Sequence, residues 1–411
     1  MVAIFGFTRE KVIAAVRDMY TAVAITPERP FHFPVGREAC LQVGYPTELL
    51  ENLPEAALQS FAGVACPFNA GVIRAGDTVL DIGAGAGTDP LIASRLVGPR
   101  GKILAVDITP AMVRRLRELV ARHGILNVEV IEGNVEALPL PDASVDVVTS
   151  NGMLNLVPDK RKAFAEIFRV LRPGGHVQLA DIVIRRPVTR DCATDPKLWA
   201  ECVVGATIDE DYLAMFRDAG FEDVRVLRVY DYFALSPSPA TREIARRFGA
   251  HAIEMTMRRA ATAPSKLAQL ARRADPRRAF RALARRGLAG SVALALSMLP
   301  CYGTLAATAL LSLAGITLAI NPSLWAGSIV ILGAFAAASV AAGVRRHRSY
   351  AALGLSLTGL AGLAYVQFVN YSGSLELMAF GLLAAGVALD FRYRRNGEMW
   401  VSAATERQPV H

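Results

Sequence analysis

The sequence predicts an α/β fold built on a doubly wound sheet, followed by an all-α four-helix transmembrane domain. Three observations carry that expectation. A β-branched run ends in an aspartate and a glycine-rich bend, VLDIGAGAG, over Val79–Gly87. Short apolar strands then alternate with helical segments to about residue 237, the rhythm of βα units around a parallel sheet. Beyond residue 287, four apolar stretches of hydrocarbon length carry almost no charge.

The bend is read first because it says what the domain holds. Its spacing is G-x-G-x-G, not the G-x-G-x-x-G of pyrophosphate sites, and no lysine follows as a phosphate loop would need. With its surroundings it resembles the S-adenosylmethionine (SAM) loop of class I methyltransferases, a Rossmann-like fold. The resemblance implies that Asp81, Gly83, Ala84, Gly85 and Gly87 cradle the methionine side of SAM. Strand two, Lys102 to Val106, ends at Asp107, twenty residues after Gly87, with Ile108 next. An acid at that distance is placed to accept both ribose hydroxyls. Strand three, Val128 to Glu132, leads into Asn134, Val135 and Glu136, where the adenine edge would lie. Strand four, Val145 to Thr149, ends in Ser150-Asn151-Gly152, and Asn151 is a candidate to orient substrate or the methionine moiety. Leu171-Arg172-Pro173-Gly174-Gly175 reads as a helix stop and turn feeding strand five, His176 to Ile184. The ligand is expected beyond the carboxyl ends of these strands.

At 411 residues the chain has room for two or three domains, and its 53% hydrophobic content exceeds what an ordinary soluble protein carries. The excess lies in the last third. Met1 to Lys11 carries charge and no apolar core, so a cleaved secretory signal is not expected. Five widely spaced cysteines, at 40, 66, 192, 202 and 301, argue against a disulfide framework and for a reducing compartment. Pro237 and Pro239 mark a boundary, so the expected division is a catalytic domain over 1–240 and a basic amphipathic linker over 241–287. A four-span domain over 288–395 and a tail over 396–411 complete it. From Arg242 to Arg286 there are 13 Lys/Arg against 3 Asp/Glu. Without regular aromatic interleaving, and running into apolar spans, the stretch reads as a membrane-surface element and not a nucleic-acid site. The spans are Leu288–Ile320 (kinked at Pro300), Leu324–Val344, Ala351–Val369 and about Leu375–Phe391. Arg285-Arg286, Arg345-Arg346-His347-Arg348 and Arg392-Tyr393-Arg394-Arg395 fall on one side. The positive-inside rule then puts both termini and the catalytic domain in the cytoplasm, against the inner membrane.

From Tyr45 to about Leu227 the chain resembles the arsenite SAM methyltransferases. The matching segments are GYPTELLENLP, VLDIGAGAGTDPLIASRLVGPRGKILAVDITPAM, NVEVIEGNVEALPLPDASVDVVTSNGMLNLVPDK, FRVLRPGG and PKLWAECVVGA. For those enzymes the resemblance implies trivalent arsenic held by cysteine thiolates and methylated by SAM, a fit of soft ligands to a soft metalloid. It places Cys202 at an arsenic-binding position, with Cys66 and Cys40 as the other candidate As(III) ligands. Two positions depart from the pattern: Gly152 stands where a central cysteine is expected, and Val64 where a third is. Glutathione supplying a missing thiolate is the implied remedy. Cys192, His32 and His176 read as structural or packing residues, and Trp199 as a wall of the substrate pocket or core. The segment Met298-Leu299-Pro300-Cys301, with the four-span layout, looks like MerC-type mercury-resistance membrane proteins, though only one cysteine is present there.

The function expected is a membrane-tethered SAM-dependent methyltransferase of arsenite or a related thiol-bound metalloid. Arsenite, a glutathione conjugate and the lipid bilayer are the partners implied, and nucleic acid is not among them. Two alternatives stand beside it. One is a methyltransferase of a small organic or quinone-like apolar acceptor; the other is a non-catalytic SAM-sensing regulator of a membrane carrier.

Overall fold

The computed structural model describes residues 9–188, 205–262, 283, 288–298, 322–347 and 349–405. The chain divides into two compact units, Met1–Leu270 and Ala271–His411.

The first unit is built on one sheet. Its strands are β1 (Thr78–Ile82), β2 (Lys102–Asp107), β3 (Val128–Glu132), β4 (Val145–Asn151), β5 (Leu171–Ile184), β6 (Thr207–Ile208), β7 (Phe221–Tyr230) and β8 (His251–Arg259). They lie in the order β3-β2-β1-β4-β5-β8-β7, with β6 on β5. Strands β1 to β5 pair in parallel. Because the order reverses between β1 and β4, a crevice opens at their carboxyl ends. Near-continuous apolar runs make these strands, as a sheet covered on both faces requires. In β1, Val79, Leu80 and Ile82 are all buried.

Helices cover the sheet, each with a stripe at 3.6-residue spacing. Helix α6 (Pro110–Arg122) opens on a proline, whose fixed φ suits a first helical position, and buries Ala111, Met112, Val113, Leu116 and Leu119. Helix α7 (Lys160–Val170) is capped by Asp159, whose carboxylate accepts from the Lys162 amide, and buries Ala163, Phe164, Ile167, Phe168 and Val170. Helix α5 (Thr88–Val97) starts directly after Gly87. Ahead of the sheet come α1 (Arg9–Ile25) and three short helices, α2 (Arg37–Gln42), α3 (Thr47–Leu50) and α4 (Glu55–Leu58).

Two sequence expectations are corrected here. The sheet is not parallel throughout, since β8 runs antiparallel between β5 and β7. The domain boundary therefore does not fall at 240. Pro239 instead opens helix α9 (Pro239–Phe248), capped by Ser238, which leads into β8; α8 (Asp209–Ala219) precedes β7. Strand β8 was hidden because its seven buried residues include His251, Glu254 and Thr256, which break the apolar run, while Arg258 and Arg259 add to the basic count. The Leu171–Gly175 turn takes the form of a bulge within β5, where the register passes from Leu171 opposite Val145 to His176 opposite Val147.

In the second unit the described helices are α10 (Ala289–Met298), α11 (Pro322–His347), α12 (Tyr350–Phe368) and α13 (Gly373–Thr405). Three segments are long and apolar enough to cross a membrane: Ala326–Val344, Tyr350–Phe368 and Gly373–Tyr393. Small residues on α12, among them Ala352, Ser356 and Gly359, are buried, which lets neighbouring helices approach closely. Of the expected first span only its start is described; Pro300 and Cys301 lie outside the described residues. Helix α13 continues through Arg392–Arg395 to Thr405, so the tail expected from 396 begins as helix.

Candidate active site

A cavity of about 1060 Å³, its open mouth included, lies at the β1–β4 crevice. Several segments of the chain line it, Ser60–Gly63 and Leu156–Pro158 among them. Gly83, Ala84 and Gly85 come from β1, Asp107 and Ile108 from β2, and Asn134 and Val135 from β3. Asn151 and Gly152 come from β4, and Ile13, Val16 and Tyr20 from α1.

The glycine bend is held against the end of β2. The amides of Gly83 and Ala84 both donate to the Val106 carbonyl, at 2.8 and 3.1 Å. Gly83 has φ +79°, and a Cβ there would stand 2.7 Å from Met153 Cγ, so both backbone and space demand glycine. Asp107 ties the bend to the next helix. Its Oδ2 accepts from the Gly85 amide at 2.9 Å and its Oδ1 from the Thr109 amide at 2.8 Å. The Ile108 amide and the Thr109 hydroxyl bond it as well, and the residue lines the cavity, so a ligand there meets a carboxylate held in place from its own loop.

Three other expected SAM contacts stand outside the lining. Gly87 caps α5. Asp81 is buried beneath the bend, with Oδ2 lacking a hydrogen-bond partner among the described residues. Glu136 is 1% exposed and turned away from the cavity; it accepts from Arg9 Nε at 2.8 Å and from the Asp159 amide at 3.1 Å. The arginine of α1 claims the carboxylate expected at the adenine edge.

Asn151 is the centre of the site's polar architecture. Its Oδ1 accepts from the amides of Val64 and Ala65, at 2.8 and 3.3 Å. Its Nδ2 lies within donating distance of the Ala65 carbonyl (2.8 Å), Asp89 Oδ2 (3.1 Å) and Tyr45 Oη (2.9 Å). Tyr45 in turn donates to Asp89 Oδ1 at 2.5 Å. One side chain thus clamps the 63–66 loop to the tip of β4 and to the start of α5. Sequence reading missed Tyr45 and Asp89, because neither carries a local signature; only the fold brings them together.

The two departures from the cysteine pattern meet in space. Gly152 has φ +70°, and a Cβ on it would lie 2.9 Å from Val64 Cγ1. The valine fills the room that a side chain at 152 would take. Cys40 and Cys66 are fully buried and do not line the cavity. Burial, with a smaller push from Asp89, raises both thiols, Cys66 to about 12. Cys66 is positioned by Glu254 of β8, which accepts from its amide and from Asn69 Nδ2. Cys202, Cys192 and Trp199 lie outside the described residues. Neither His32 nor His176 lines the cavity.

Carboxyl groups converge around the bend. Burial raises Asp81 well above the usual range, and the charges of Asp89 and Asp107 raise it further. Burial lifts Asp89 to about 6, against the pull of its bonds from Tyr45 and Asn151, and it also lifts Asp107. Such a cluster is costly alone and favours a cationic guest. SAM, with its sulfonium and ammonium groups and a flat apolar base, matches a carboxyl-bearing bend facing a wall of Ile13, Val16, Val106 and Val135.

Comparison with known proteins agrees with that fit. Residues 73–220 match the family model described as a methyltransferase domain. The arsenite methyltransferase of Halobacterium salinarum is 45% identical over 151 residues, 37% of this chain and 39% of that protein. The ubiquinone/menaquinone biosynthesis C-methyltransferase UbiE of Escherichia coli is 33% identical over 187 residues, 40% of this chain and 71% of that protein. The chain belongs to the SAM-dependent methyltransferase family that includes the arsenite enzymes. Among solved structures, CrArsM, an arsenic (III) S-adenosylmethionine methyltransferase from Chlamydomonas reinhardtii, is 32% identical, with 56% of this chain and 74% of that chain covered and a TM-score of 0.43. The methyltransferase spans 39% and 49% of the first two arsenite relatives' lengths. Its cofactor is SAM.

A pH dependence follows for this methyltransferase. A cation beside Asp89 favours the ionised carboxyl, so SAM binding draws off a proton wherever Asp89 is protonated beforehand. Affinity is therefore full above about pH 6 and is lost as the pH falls through that value. Calorimetry should find SAM bound about tenfold more weakly at pH 5 than at 7.5, the cost of one pH unit below the titration point. Equal affinity at the two values would remove Asp89 from the cofactor's charge environment.

Proposed function

We propose that the protein methylates thiol-bound arsenic(III), arsenite or its glutathione conjugate, from a catalytic unit tethered to a membrane. The observation that carries the reading is the cavity at the β1–β4 crevice. Its cofactor side is the glycine bend and Asp107, and its other wall includes Ser60–Gly63, which runs into the loop clamped by Asn151. The arsenite relatives, 45% and 34% identical over their matched parts, support the acceptor.

When bound, SAM supplies an electrophilic methyl carbon. An arsenic(III) lone pair would take that methyl as its bond to the sulfonium sulfur breaks, the neutral thioether S-adenosylhomocysteine leaving; arsenic has no proton to lose, so the protein's task is to hold both partners in line and exclude water. Asn151, by fixing the 63–66 loop, sets the opening through which the acceptor approaches. Cys202 supplies a thiolate and glutathione completes the set, since Cys40 and Cys66 are fully buried and stand outside the lining. The apolar helices tether the unit to the inner membrane, with the basic segments 345–348 and 392–395 on the cytoplasmic side.

A second reading is favoured by one contact. With Val64 packed on Gly152 and no described cysteine in the lining, the part of the wall made by Phe61, Ala62, Met153, Leu156 and Val157 is apolar, as a quinone-like acceptor would require. The UbiE relative, 71% of whose length is matched, points the same way.

The test uses the full chain in lipid nanodiscs with methyl-labelled SAM, glutathione and arsenite. Methylated arsenicals are expected, and Cys202→Ser should reduce turnover by on the order of 100-fold, the cost of losing a positioning contact. SAM binding without any methylated arsenical would overturn the arsenic reading. Methylation of an offered demethylated quinone would then establish the second.

A further inference from the structure

Behind the β4-side wall of the cavity lies a buried ammonium that methyl transfer does not use. Lys160 opens α7 and is 8% exposed. Its Nζ donates to the carbonyls of Asn155 at 2.8 Å, Val157 at 3.0 Å and Gly205 at 2.8 Å. Three N–H groups meeting three carbonyls use the full donor capacity of an ammonium. The first two acceptors belong to the turn after β4, whose Leu156, Val157 and Pro158 line the cavity. The third is the first described residue after 189–204, and it leads into β6, which pairs with Val183 and Ile184 at the end of β5.

Two chain segments far apart in sequence therefore share one cation as their fastener. In the strand order Asp107 stands at the end of β2 and the 155–157 turn follows β4, with β1 between them. The fastened wall is thus across β1 from Asp107, on the β4 side, where the methyl-transfer reading puts the acceptor. We infer that Lys160 is a positioning residue: it locks the 155–157 turn to the entry of β6 and thereby sets the acceptor wall without touching either substrate. The inference rests on the methyl-transfer reading for its kinetic consequence, not for its structural one.

The surroundings suit a charge kept for this purpose. Burial pulls Lys160 down to about 8, against the stabilising fields of Asp181 and Glu136. Both acids are themselves engaged, Asp181 by the Tyr212 hydroxyl and Glu136 by Arg9. Methionine at 160 would keep the length of the apolar stem and leave three buried carbonyls without their donor. Arginine would keep a charge and a fork of donors.

The experiment compares full-length wild type, Lys160→Met and Lys160→Arg in nanodiscs. Hydrogen exchange should be faster in Lys160→Met for peptides covering 154–158 and 205–208, unchanged over 83–87, and largely restored in Lys160→Arg. SAM affinity should stay within about twofold in both variants, while the acceptor KM rises about tenfold in Lys160→Met, as expected when buried carbonyls lose a donor. Above pH 8 the wild-type acceptor KM should climb and that of Lys160→Arg should not, a readout that survives if Lys160→Met fails to fold. Unchanged exchange at both segments, or SAM affinity lost in step with acceptor affinity, would overturn the inference. A wild type that turns over no acceptor would sink the methyl-transfer reading while the exchange data still decide the role of Lys160.

Discussion

Asp107→Ala is expected to weaken SAM binding by roughly 2–4 kcal/mol, on the order of 30- to 1,000-fold. Two losses add. The carboxylate lines the cavity, where a ligand's hydrogen bond to a charged acceptor is worth about 1.5–3 kcal/mol. The same carboxylate holds the Gly85 and Thr109 amides, so its removal also frees the bend that approaches the ligand. Asp107→Asn should fall in between, because one side-chain oxygen remains to serve two amides. Calorimetry on the full chain, with a melting curve to show that the fold persists, measures both variants. An alanine variant that binds SAM as wild type does would mean that the ribose hydroxyls are held elsewhere.

The second large effect is expected at Asn151. Asn151→Leu removes an acceptor from the amides of Val64 and Ala65 and a donor from the Ala65 carbonyl and Asp89. Each buried group left unpaired costs about 1–3 kcal/mol, so a loss of roughly 3–5 kcal/mol and a fall in Tm of about 10 °C are expected. Asn151→Asp is more informative because it sets a second carboxyl against Asp89. Both groups would have raised folded-state pKa values, so their ionisation works against folding. The penalty is largest above the Asp89 titration near pH 6 and shrinks as the pH falls through it. Melting curves from pH 5 to 8 test the sign. A variant whose deficit is constant across that range would place the new carboxyl out of Asp89's reach.

Both predictions turn on residues of different legibility. Asp107 could be read directly: a strand of β-branched and apolar residues ends at an acid, at a fixed interval after a glycine bend. These are local properties, carried by φ preferences and by alternation along a few residues. The same local logic found β2 and β3 to within a residue and both ends of the bend. Asn151 was legible only as a candidate. Its role as a clamp depends on Val64, Tyr45 and Asp89, which lie 62 to 106 positions away from it in sequence.

Other features escaped for the same reason. Strand β8 looked like part of a basic linker because its polar residues, Glu254 above all, face partners supplied by distant loops. Glu136 was placed at the adenine edge, yet Arg9, 127 residues earlier, draws its carboxylate away. The Gly152–Val64 contact turned two separate departures from a cysteine pattern into one packed pair. No periodicity marks Lys160, one of whose three acceptors, Gly205, lies 45 residues further along the chain.

The amino-acid order alone was enough for the sheet's parallel half, the glycine bend, the acid of β2 and the apolar helices of the second unit. Each of these follows from a run of residues that answers to its own backbone preferences or to water. Tertiary structure decided which carboxyls crowd the cofactor side, which loop Asn151 holds, that no described thiol lines the cavity, and that an antiparallel strand sits between β5 and β7. The physical reason is that hydrogen bonding and burial of isolated polar groups depend on partners, and partners remote in sequence are chosen only when the chain is folded.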